Sequence, residues 1–377
     1  AELCRVCEPQ SDEAIPDFLW DKHTSFFLKH LETLPAVYSS LSTNRLAAVY
    51  FCLSALDFLG RLDEVDKERV KNYIYFYMSP HADRGGFYGF PPVQFESEEL
   101  DRANNQPHIA NTYVALVMLL ILGDDLSRID RDAVASSLRR WQLPNGSFCC
   151  VHGISSLDSE SDIRFVYCAA VICYVLDLWD AIDLEKMFEF IVQARGYDGA
   201  FGMDSGCESH GGCTYCAVAA LAMMGRLDRL PNKLSLIDWC IKRQHFGFQG
   251  RIEKDMDTCY SFWVGASLDL LGAGSLIQSK CCARYIKKCE SHIFGGFLKS
   301  LDCPMPDILH SYYSVVGLSL SGVLDQRLDA RLGITKRAAE AAPTHLCKLP
   351  VDARKQEQNP EICPPESAKL ELEANTG

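Results

Sequence analysis

Apolar positions recur in this chain with the spacing of helices, and the alternation typical of strands is hard to find. Phe27, Leu31 and Leu34 fall on one helical face. The segments 45–59 and 262–271 are apolar on nearly every face. A helix of that kind must be buried on more than one side. The pattern predicts an all-α protein in which some helices lie entirely inside.

The helical pattern repeats about every 50 residues, which is typical of an array of helical units. Each unit has a more polar helical pattern, as at 184–194 and 234–244, then a Gly-Phe turn, a polar stretch and a tyrosine that opens an apolar helix. No unit of this kind can bury its apolar face alone, so neighbouring units must stack. The turns end at Phe87, Phe148, Phe201, Phe248 and Phe297, and the tyrosines are Tyr113, Tyr167, Tyr215, Tyr260 and Tyr312.

The apolar helices after the turns are predicted to form an inner ring, and the helices before the turns an outer ring. This arrangement is an α-α toroid, a barrel of helical hairpin repeats. An open solenoid built from the same units is the alternative, but the inner helices favour closure because both of their faces need burial. The predicted divisions are an N-terminal extension over 1–15, the barrel over 16–334 and a tail over 335–377. The tail is rich in proline and charge and is expected to be disordered; residues 91–107 are expected to form a surface loop.

Composition narrows the class of partner and the compartment. The chain has 377 residues, 48% of them apolar, and a formal net charge of −13, so a nucleic-acid partner is not expected. Several of the 18 cysteines, such as Cys52, Cys168, Cys173 and Cys216, fall in apolar helical patterns, which suits a reducing compartment. The longest apolar run, 113–122, is too short to span a bilayer, and residues 1–10 have no apolar core of a signal peptide. We expect a cytoplasmic protein with no membrane span.

Candidate chemistry is concentrated just before the apolar helix that begins near residue 262. Asp257 and Cys259 are suitable ligands for a borderline-soft metal such as zinc. Arg251 and Lys254 suit a phosphate or diphosphate. The alternative is a capped helix preceded by a solvated run of charges.

The repeat adds a third candidate ligand to this stretch. Aligning the units on Tyr260 and Tyr312 places His310 at the same height as Asp257 and Cys259, on the next inner helix. Three protein ligands leave one position of tetrahedral zinc open, which is typical of catalytic rather than structural sites. A histidine considered alone at this place is more commonly a satisfied core residue.

One unit earlier, His210 again falls at the start of an inner helix. Gly211 and Gly212 follow it and allow a ligand to approach the backbone closely. With Arg251, Lys254 and Tyr260 it is predicted to surround the metal site with hydrogen-bond donors able to hold a diphosphate. The floor below is expected to be apolar and aromatic, which together with a metal and a diphosphate site suggests transfer of an isoprenoid. Its candidate residues are Phe51, Phe165, Phe262, Trp263 and Tyr313.

Six short motifs carry a resemblance to a known family. They are Gly-Asp-Asp-Leu-Ser-Arg at 123–128, Arg-Phe-Val-Tyr-Cys at 164–168, Glu-Ser-His-Gly-Gly at 208–212, Asp-Thr-Cys-Tyr-Ser-Phe-Trp at 257–263, Gly-Gly-Phe-Leu-Lys at 295–299 and Pro-Asp-Ile-Leu-His at 306–310. With them, residues 18–322 resemble the β subunits of the protein prenyltransferases, most closely those of geranylgeranyltransferase type I.

The resemblance implies a heterodimer with a prenyltransferase α subunit and one zinc ion per β subunit. The implied reaction moves a geranylgeranyl group from geranylgeranyl diphosphate to the cysteine of proteins that end in C-a-a-X, often with X = Leu, such as small GTPases. The implied zinc ligands are Asp257, Cys259 and His310. The implied diphosphate and isoprenoid contacts are His210, Gly211, Gly212, Arg251, Lys254, Tyr260, Ser261, Phe262, Trp263, Lys299, Arg164, Ala47, Phe51 and Leu309. The implied peptide contacts are Thr43, His108, Ala110, Asn111 and Phe165.

Three positions refine what the resemblance implies. Ala47 is small where farnesyl-transferring relatives carry Trp, which leaves room for a fourth isoprene unit. Lys299 replaces the Asp that holds magnesium in the farnesyl relative, so Mg²⁺ is not expected to be required. Asn111 departs from the apolar residue usual in the type I enzyme and leaves the preference for the last peptide residue open.

Other functions remain open at this point. The β subunits of the type II (Rab) geranylgeranyltransferase and of farnesyltransferase share the metal site. An isoprenoid cyclase of the same toroidal class is favoured by the acidic sequence 255–258, but it needs neither Cys259 nor His310. A non-catalytic scaffold that binds a helical partner is the alternative from a different class.

Overall fold

A computed structural model describes residues 15, 17–152, 159–343 and 349–350. Two very short strands, β1 (Leu328–Asp329) and β2 (Ile334–Thr335), pair antiparallel with Leu328 opposite Thr335. Everything else that is regular in these residues is helical. The α-helices are α1 (Trp20–Glu32), α2 (Arg45–Phe58), α3 (Lys67–Phe76), α4 (Glu98–Asn104), α5 (Ile109–Ile121), α6 (Arg131–Trp141), α7 (Ile163–Leu176), α8 (Leu184–Gln193), α9 (Gly211–Met223), α10 (Lys233–Lys242), α11 (Tyr260–Leu270), α12 (Ser279–Lys288), α13 (Ile308–Leu320) and α14 (Lys336–Glu340).

Six helices in the described part of the chain form a closed inner ring. Helix α2 contacts α5, and the contacts continue through α7, α9 and α11 to α13, which returns to contact α2. Nearly every residue of α5 and α7 is buried, as expected of helices enclosed on both faces. The predicted α-α toroid is therefore confirmed, and the contact between α13 and α2 rules out the open solenoid.

The outer helices are amphipathic and present one face to the ring. Helix α1 packs on α2, α10 on α11 and α12 on α13. On α8 the buried side chains include Met187, Phe190 and Ile191 at helical spacing. Asp66, Asp130 and Asp183 cap the N-termini of α3, α6 and α8 by accepting backbone N–H groups. The outer ring is thus specified by local capping and by one apolar face per helix.

The Gly-Phe turns set the level at which each inner helix begins. The backbone N–H groups of His108, His210 and Asp257 donate to the carbonyls of Phe87, Phe201 and Phe248. We call the end of the ring where the inner helices begin the mouth, and the opposite end the base. These hydrogen bonds place at the mouth the residues that precede α5, α9 and α11.

The structure corrects the predicted register between units. Thr112, Thr214 and Ser311 each accept a hydrogen bond from the turn phenylalanine of their own unit, and each lies four residues after His108, His210 and Asp307 respectively. Asp257 is bonded to its turn in the same way as His108 and His210, so it corresponds to Asp307.

The level of Tyr215 and Tyr312 is therefore occupied in α11 by Phe262, not by Tyr260. The Phe262 ring packs 4.7 Å from the ring of Tyr215. The alignment on Tyr260 was wrong by two residues because residue type guided it, whereas the turn hydrogen bonds determine the level. His310 is consequently the third residue of α13, at the level of Tyr260 rather than of Cys259 and Asp257.

Segment 91–107 is not a loop throughout. It contains the short helix α4, whose first turn is capped by the Ser97 hydroxyl, 3.2 Å from the Leu100 N–H. Asp101 of this helix forms ion pairs with the fully buried Arg84 and with His81. The helix escaped prediction because it has no buried side chain and therefore no apolar stripe.

The ordered chain also continues past the predicted barrel end at residue 334. Strand β2 and helix α14 pack on the barrel, and Thr335 and Ala338 are completely buried. Most of the predicted tail and extension, residues 344–348, 351–377 and 1–14, lies outside the described residues. No helix in the described residues is long and apolar enough to cross a membrane.

Candidate metal and anion site

Asp257, Cys259 and His310 meet at the mouth, between the start of α11 and the first turn of α13. Their potential ligand atoms all lie within 4.8 Å of one another. His310 Nε2 is 3.4 Å from Asp257 Oδ1. Asp257 and Cys259 are only 8% and 7% exposed. The structure thus brings together the three ligands that the sequence predicted.

Asp307 holds the histidine of this group in place. It caps α13, where its Oδ1 accepts the His310 N–H at 2.9 Å, and its Oδ2 lies 2.6 Å from His310 Nδ1. Because Nδ1 is engaged, Nε2 is the nitrogen that faces Asp257 and Cys259. Asp307 was given no role from the sequence, although an Asp directly before an apolar helical pattern is typical of a helix cap.

Burial and neighbouring carboxylates shift the pKa values of two of these side chains. Burial lowers the pKa of His310, but its hydrogen bonds to Asp257 and Asp307 outweigh burial and raise that pKa to about 9. Burial and then the charge of Asp257 raise the pKa of the Cys259 thiol well above its usual value. A metal ion that binds here must displace both protons.

The donor set fits zinc. One thiol, one imidazole and one carboxylate are the ligand types that zinc takes, whereas Mg²⁺ and Ca²⁺ prefer oxygen alone. The second contact of His310, to Asp307, is also the usual support for a zinc-binding histidine. Three protein ligands leave a fourth tetrahedral position for a substrate atom.

His210 and Tyr260 join α9 to α11 beside this group. His210 Nδ1 accepts the Gly212 N–H at 3.0 Å, and His210 Nε2 lies 2.9 Å from the Tyr260 hydroxyl oxygen. Burial and then Arg251 lower the pKa of His210, which favours the neutral ring. A neutral ring that accepts at Nδ1 must donate from Nε2. The Tyr260 hydroxyl therefore keeps its own proton for an incoming acceptor.

Two glycines allow these rings to lie close to the backbone. A Cβ on Gly211 would lie 2.9 Å from Val264 and 3.1 Å from the Tyr260 ring. A Cβ on Gly250 would lie 2.0 Å from Tyr260 Cζ. Sequence analysis identified Gly211 but not Gly250, which belongs to the preceding turn.

The four predicted cations have different partners and different exposure. Lys299 Nζ lies 3.9 Å from Asp257 Oδ2. Arg251 Nη1 lies 2.9 Å from a carboxylate oxygen of Glu208, and Lys254 is exposed. Arg164, in contrast, is held at 2.6 Å by Asp162, the cap of α7.

Aromatic rings fill the interior below the mouth. Tyr313 stacks on Phe262 with ring centroids 5.2 Å apart and lies 4.6 Å from the ring of Trp263. Ala47, Phe51, Trp263 and Leu309 are only half-buried although inner helices enclose them, which indicates an accessible interior.

Ser261 does not join this lining. A Cβ on Gly317 of α13 would lie 2.7 Å from Ser261 Cβ, so Ser261 faces the contact between α11 and α13. It was predicted as an isoprenoid contact because it lies in the matched motif, but its helical position turns it away from the interior.

The predicted peptide wall forms next to α2. His108 Nδ1 accepts the Ala110 N–H at 3.1 Å, and its ring meets the Phe165 ring edge-on at 6.3 Å. Burial lowers the pKa of His108 to about 4, so the ring is neutral. The backbone of Thr43 is held against Gly89, where a Cβ would lie 2.2 Å from the Thr43 carbonyl.

Asn111 is placed differently from the prediction. It is 1% exposed, and its Nδ2 donates to Asn44 Oδ1 at 3.0 Å. It therefore holds the N-terminus of α2 through Asn44 and does not line the predicted peptide wall. Its polarity is explained by Asn44, which sequence analysis missed.

Comparisons with known proteins agree with this architecture. Residues 18–346 match the prenyltransferase α-α toroid domain. The chain is 40% identical over 333 residues to the geranylgeranyl transferase type-1 subunit beta of Arabidopsis thaliana, covering 83% of this chain and 87% of that protein. It is 36% identical over 340 residues to the Dictyostelium discoideum protein of the same name, covering 85% and 96%.

A solved structure has the same fold. The Candida albicans protein geranylgeranyltransferase-I complexed with GGPP superimposes with a TM-score of 0.78 at 27% identity, covering 86% of this chain and 98% of that chain. The farnesyltransferase subunit beta of Arabidopsis thaliana is 34% identical over 255 residues, covering 67% of this chain and 49% of that protein.

Proposed function

This chain belongs to the prenyltransferase α-α toroid family, among the geranylgeranyltransferase type 1 β subunits, and from that membership we propose its substrates, metal and partner. With an α subunit it binds zinc and transfers a geranylgeranyl group from geranylgeranyl diphosphate to the cysteine of proteins that end in C-a-a-X. The observation that carries the proposal is the convergence of Asp257, Cys259 and His310 beside the His210–Tyr260 pair.

The metal site favours the thiolate form of the cysteine in the acceptor protein. Zinc held by Asp257, Cys259 and His310 supplies, when bound, a positive charge that favours the thiolate of the peptide cysteine. Asp307 keeps His310 Nε2 turned toward the other two ligands. His108 and Phe165 form the wall against which the rest of the C-a-a-X sequence lies.

The thiolate sulfur forms a bond to C1 of the donor as the bond between C1 and the diphosphate oxygen breaks. Negative charge then increases on the leaving diphosphate, and donors placed around it in advance stabilise that charge. The Tyr260 hydroxyl accepts from His210, so its own O–H donates a hydrogen bond to the diphosphate. Arg251 exchanges the Glu208 carboxylate for the diphosphate, and Lys254 and Lys299 add positive charge.

The proposal is tested with the heterodimer. This chain is co-expressed with a prenyltransferase α subunit, and the purified complex receives a peptide that ends in C-a-a-Leu with an equimolar mixture of the 15- and 20-carbon diphosphates. We expect mass spectrometry to show a 20-carbon thioether on the cysteine, and zinc in the complex. A 15-carbon product, modification of Rab-type acceptors alone, or a cyclised hydrocarbon would each contradict the proposal. A complex that binds neither donor would favour the scaffold function.

Lys299 gives a prediction about magnesium. Its ammonium group lies 3.9 Å from Asp257 at the mouth, where it can meet the diphosphate in place of a hard cation. We expect the single-turnover rate of the native enzyme at fixed zinc not to change with Mg²⁺. Lys299→Asp should be slower by roughly tenfold or more without Mg²⁺ and should recover when Mg²⁺ is added.

The matched control is Lys242→Asp, which makes the same change of charge on the outer helix α10. It should leave the rate and its independence of Mg²⁺ unchanged. A native enzyme that millimolar Mg²⁺ accelerates strongly would show that Lys299 does not replace the ion.

A further inference from the structure

Aromatic rings from the inner helices form a continuous belt across the ring. Centroids of neighbouring rings lie 4.7–6.1 Å apart along the whole circuit. The belt is closed because Tyr312 of α13 lies 5.3 Å from Tyr50 of α2. In order around the ring its members are Tyr50, Tyr113, Tyr167, Tyr215, Phe262, Tyr313 and Tyr312.

The hydroxyl groups of the belt need acceptors, because an unpaired hydroxyl in an apolar interior is costly. The Gly333 carbonyl accepts from Tyr312 at 2.6 Å, and Tyr50 Oη lies 2.8 Å from Tyr312 Oη and 3.3 Å from the same carbonyl. The Arg331 carbonyl accepts from Tyr167 at 3.2 Å, and Tyr215 Oη lies 3.4 Å away from it. Both carbonyls belong to the loop between β1 and β2. This hairpin, residues 328–335, is called the plug, and it enters the ring from the base.

The plug is fastened to the base by a buried carboxylate. Asp57, 3% exposed in the last turn of α2, accepts from the Thr335 hydroxyl at 2.5 Å and from Arg337 Nη2 at 2.7 Å. Arg337 Nη2 also donates to the Ile121 carbonyl at the end of α5. The plug is therefore fixed relative to two adjacent inner helices.

The belt also contacts the half-buried lining of the interior. The Phe51 ring lies 5.7 Å from the ring of Tyr50 and 5.6 Å from that of Tyr312. The Tyr312 hydroxyl is held by the plug at Gly333, and the Tyr50 hydroxyl by Tyr312 and Gly333. Tyr50 and Tyr312 are 3% and 1% exposed, so the belt meets the accessible interior through the half-buried Phe51 ring.

We propose that the plug is a specificity-determining element for the lipid donor, an inference that rests on the proposed function. By holding the tyrosine hydroxyls it fixes the position of the belt, and the belt limits how deeply an isoprenoid chain enters the ring. A shift of the belt affects a 20-carbon chain before a 15-carbon chain, because only the longer chain extends to the end of the interior. Contacts the size of one methylene are enough to discriminate between substrates in apolar pockets.

Gly333 allows this to be tested with a single methyl group. A Cβ at Gly333 would lie 3.3 Å from Tyr50 Oη, 3.5 Å from the Phe262 ring and 3.6 Å from Tyr312 Oη. Gly322 is the matched control, because it has φ of +74° against +71° for Gly333 but no atom within 4 Å of a Cβ. Both alanine variants therefore carry similar backbone strain. Only Gly333→Ala places a methyl group against the belt, with its one tight contact at Tyr50 Oη.

In the heterodimer, Gly333→Ala is expected to reduce the ratio of kcat/KM for the 20-carbon donor over the 15-carbon donor by about tenfold. The KM for the peptide should not change. Gly322→Ala should keep the native ratio even if its thermal stability falls equally. Identical ratios in the two variants and the native protein would overturn the inference.

A second variant tests the inference independently if the Gly333→Ala protein fails to fold. Arg337 is 46% exposed, and Arg337→Gln weakens the hold on Asp57 without adding atoms near the belt. It should also lower the donor ratio, and an unchanged ratio would contradict the role of the plug. A native heterodimer that binds neither diphosphate would instead refute the proposed function, so the two failures are distinguishable.

Discussion

Cys259→Ala is expected to remove zinc from the heterodimer and to reduce turnover by more than about 100-fold. Loss of a residue that only supports a zinc ligand typically costs 10–100-fold in affinity or activity, and loss of a ligand should cost more. The fold should survive, because the change removes one sulfur atom from a loop that Asp257 and the Phe248 carbonyl still hold. Metal analysis, circular dichroism and single-turnover rates measure the three effects.

Cys240→Ala is the matched control for this prediction. Cys240 is a completely buried thiol on the outer helix α10, so its removal changes packing without changing the metal site. It should retain one zinc ion and the native rate. His310→Ala should behave like Cys259→Ala. Stoichiometric zinc in the Cys259→Ala protein would show that the site is assigned wrongly.

Ala47→Trp is expected to change the preferred donor from 20 to 15 carbons, with a shift of at least about tenfold in the ratio of products. Ala47 lies one helical turn before Phe51 on α2 and is half-buried against the interior. An indole there occupies the space into which a fourth isoprene unit would extend. Competition between the two diphosphates, followed by mass spectrometry of the peptide, measures the shift.

Val49→Trp is the control for the size of the new side chain. Val49 is also half-buried on α2, but it lines an outer groove between α1, α2 and α3. An indole at Val49 adds the same bulk outside the ring and should leave donor selectivity unchanged. The role assigned to Ala47 would be refuted if Ala47→Trp kept the native selectivity in a folded heterodimer.

The residues of the candidate site were predictable to different degrees. Asp257, Cys259 and His310 were found because a thiol, a carboxylate and an imidazole are conspicuous beside apolar helices. Asp307, Gly250 and Asn44 were not found, since capping, close approach and support of a helix end depend on contacts between distant residues. His310 was found by comparing neighbouring units, even though the alignment of those units was wrong by two residues.

The sequence by itself determined the helical class and the repeat, and it favoured a closed ring over an open solenoid. Apolar residues on every face of α2, α5 and α7 require burial on both sides, and a repeat of about 50 residues requires stacking of like units. The sequence also determined which side chains are able to bind a metal. These conclusions follow from local patterns and residue chemistry, which can be read from the sequence alone.

Only the tertiary structure decided the level of each inner helix and the base of the ring. The level depends on hydrogen bonds between turn and helix, such as Asp257 N–H to the Phe248 carbonyl, which no local pattern encodes. The plug was assigned to the end of the barrel and the start of a disordered tail, because its charged, short strands resemble neither helix nor core. Its place is determined by Asp57 and by the hydroxyls of Tyr167 and Tyr215, all more than 100 residues away in sequence. The need of these hydroxyls for acceptors becomes apparent only when the ring has closed.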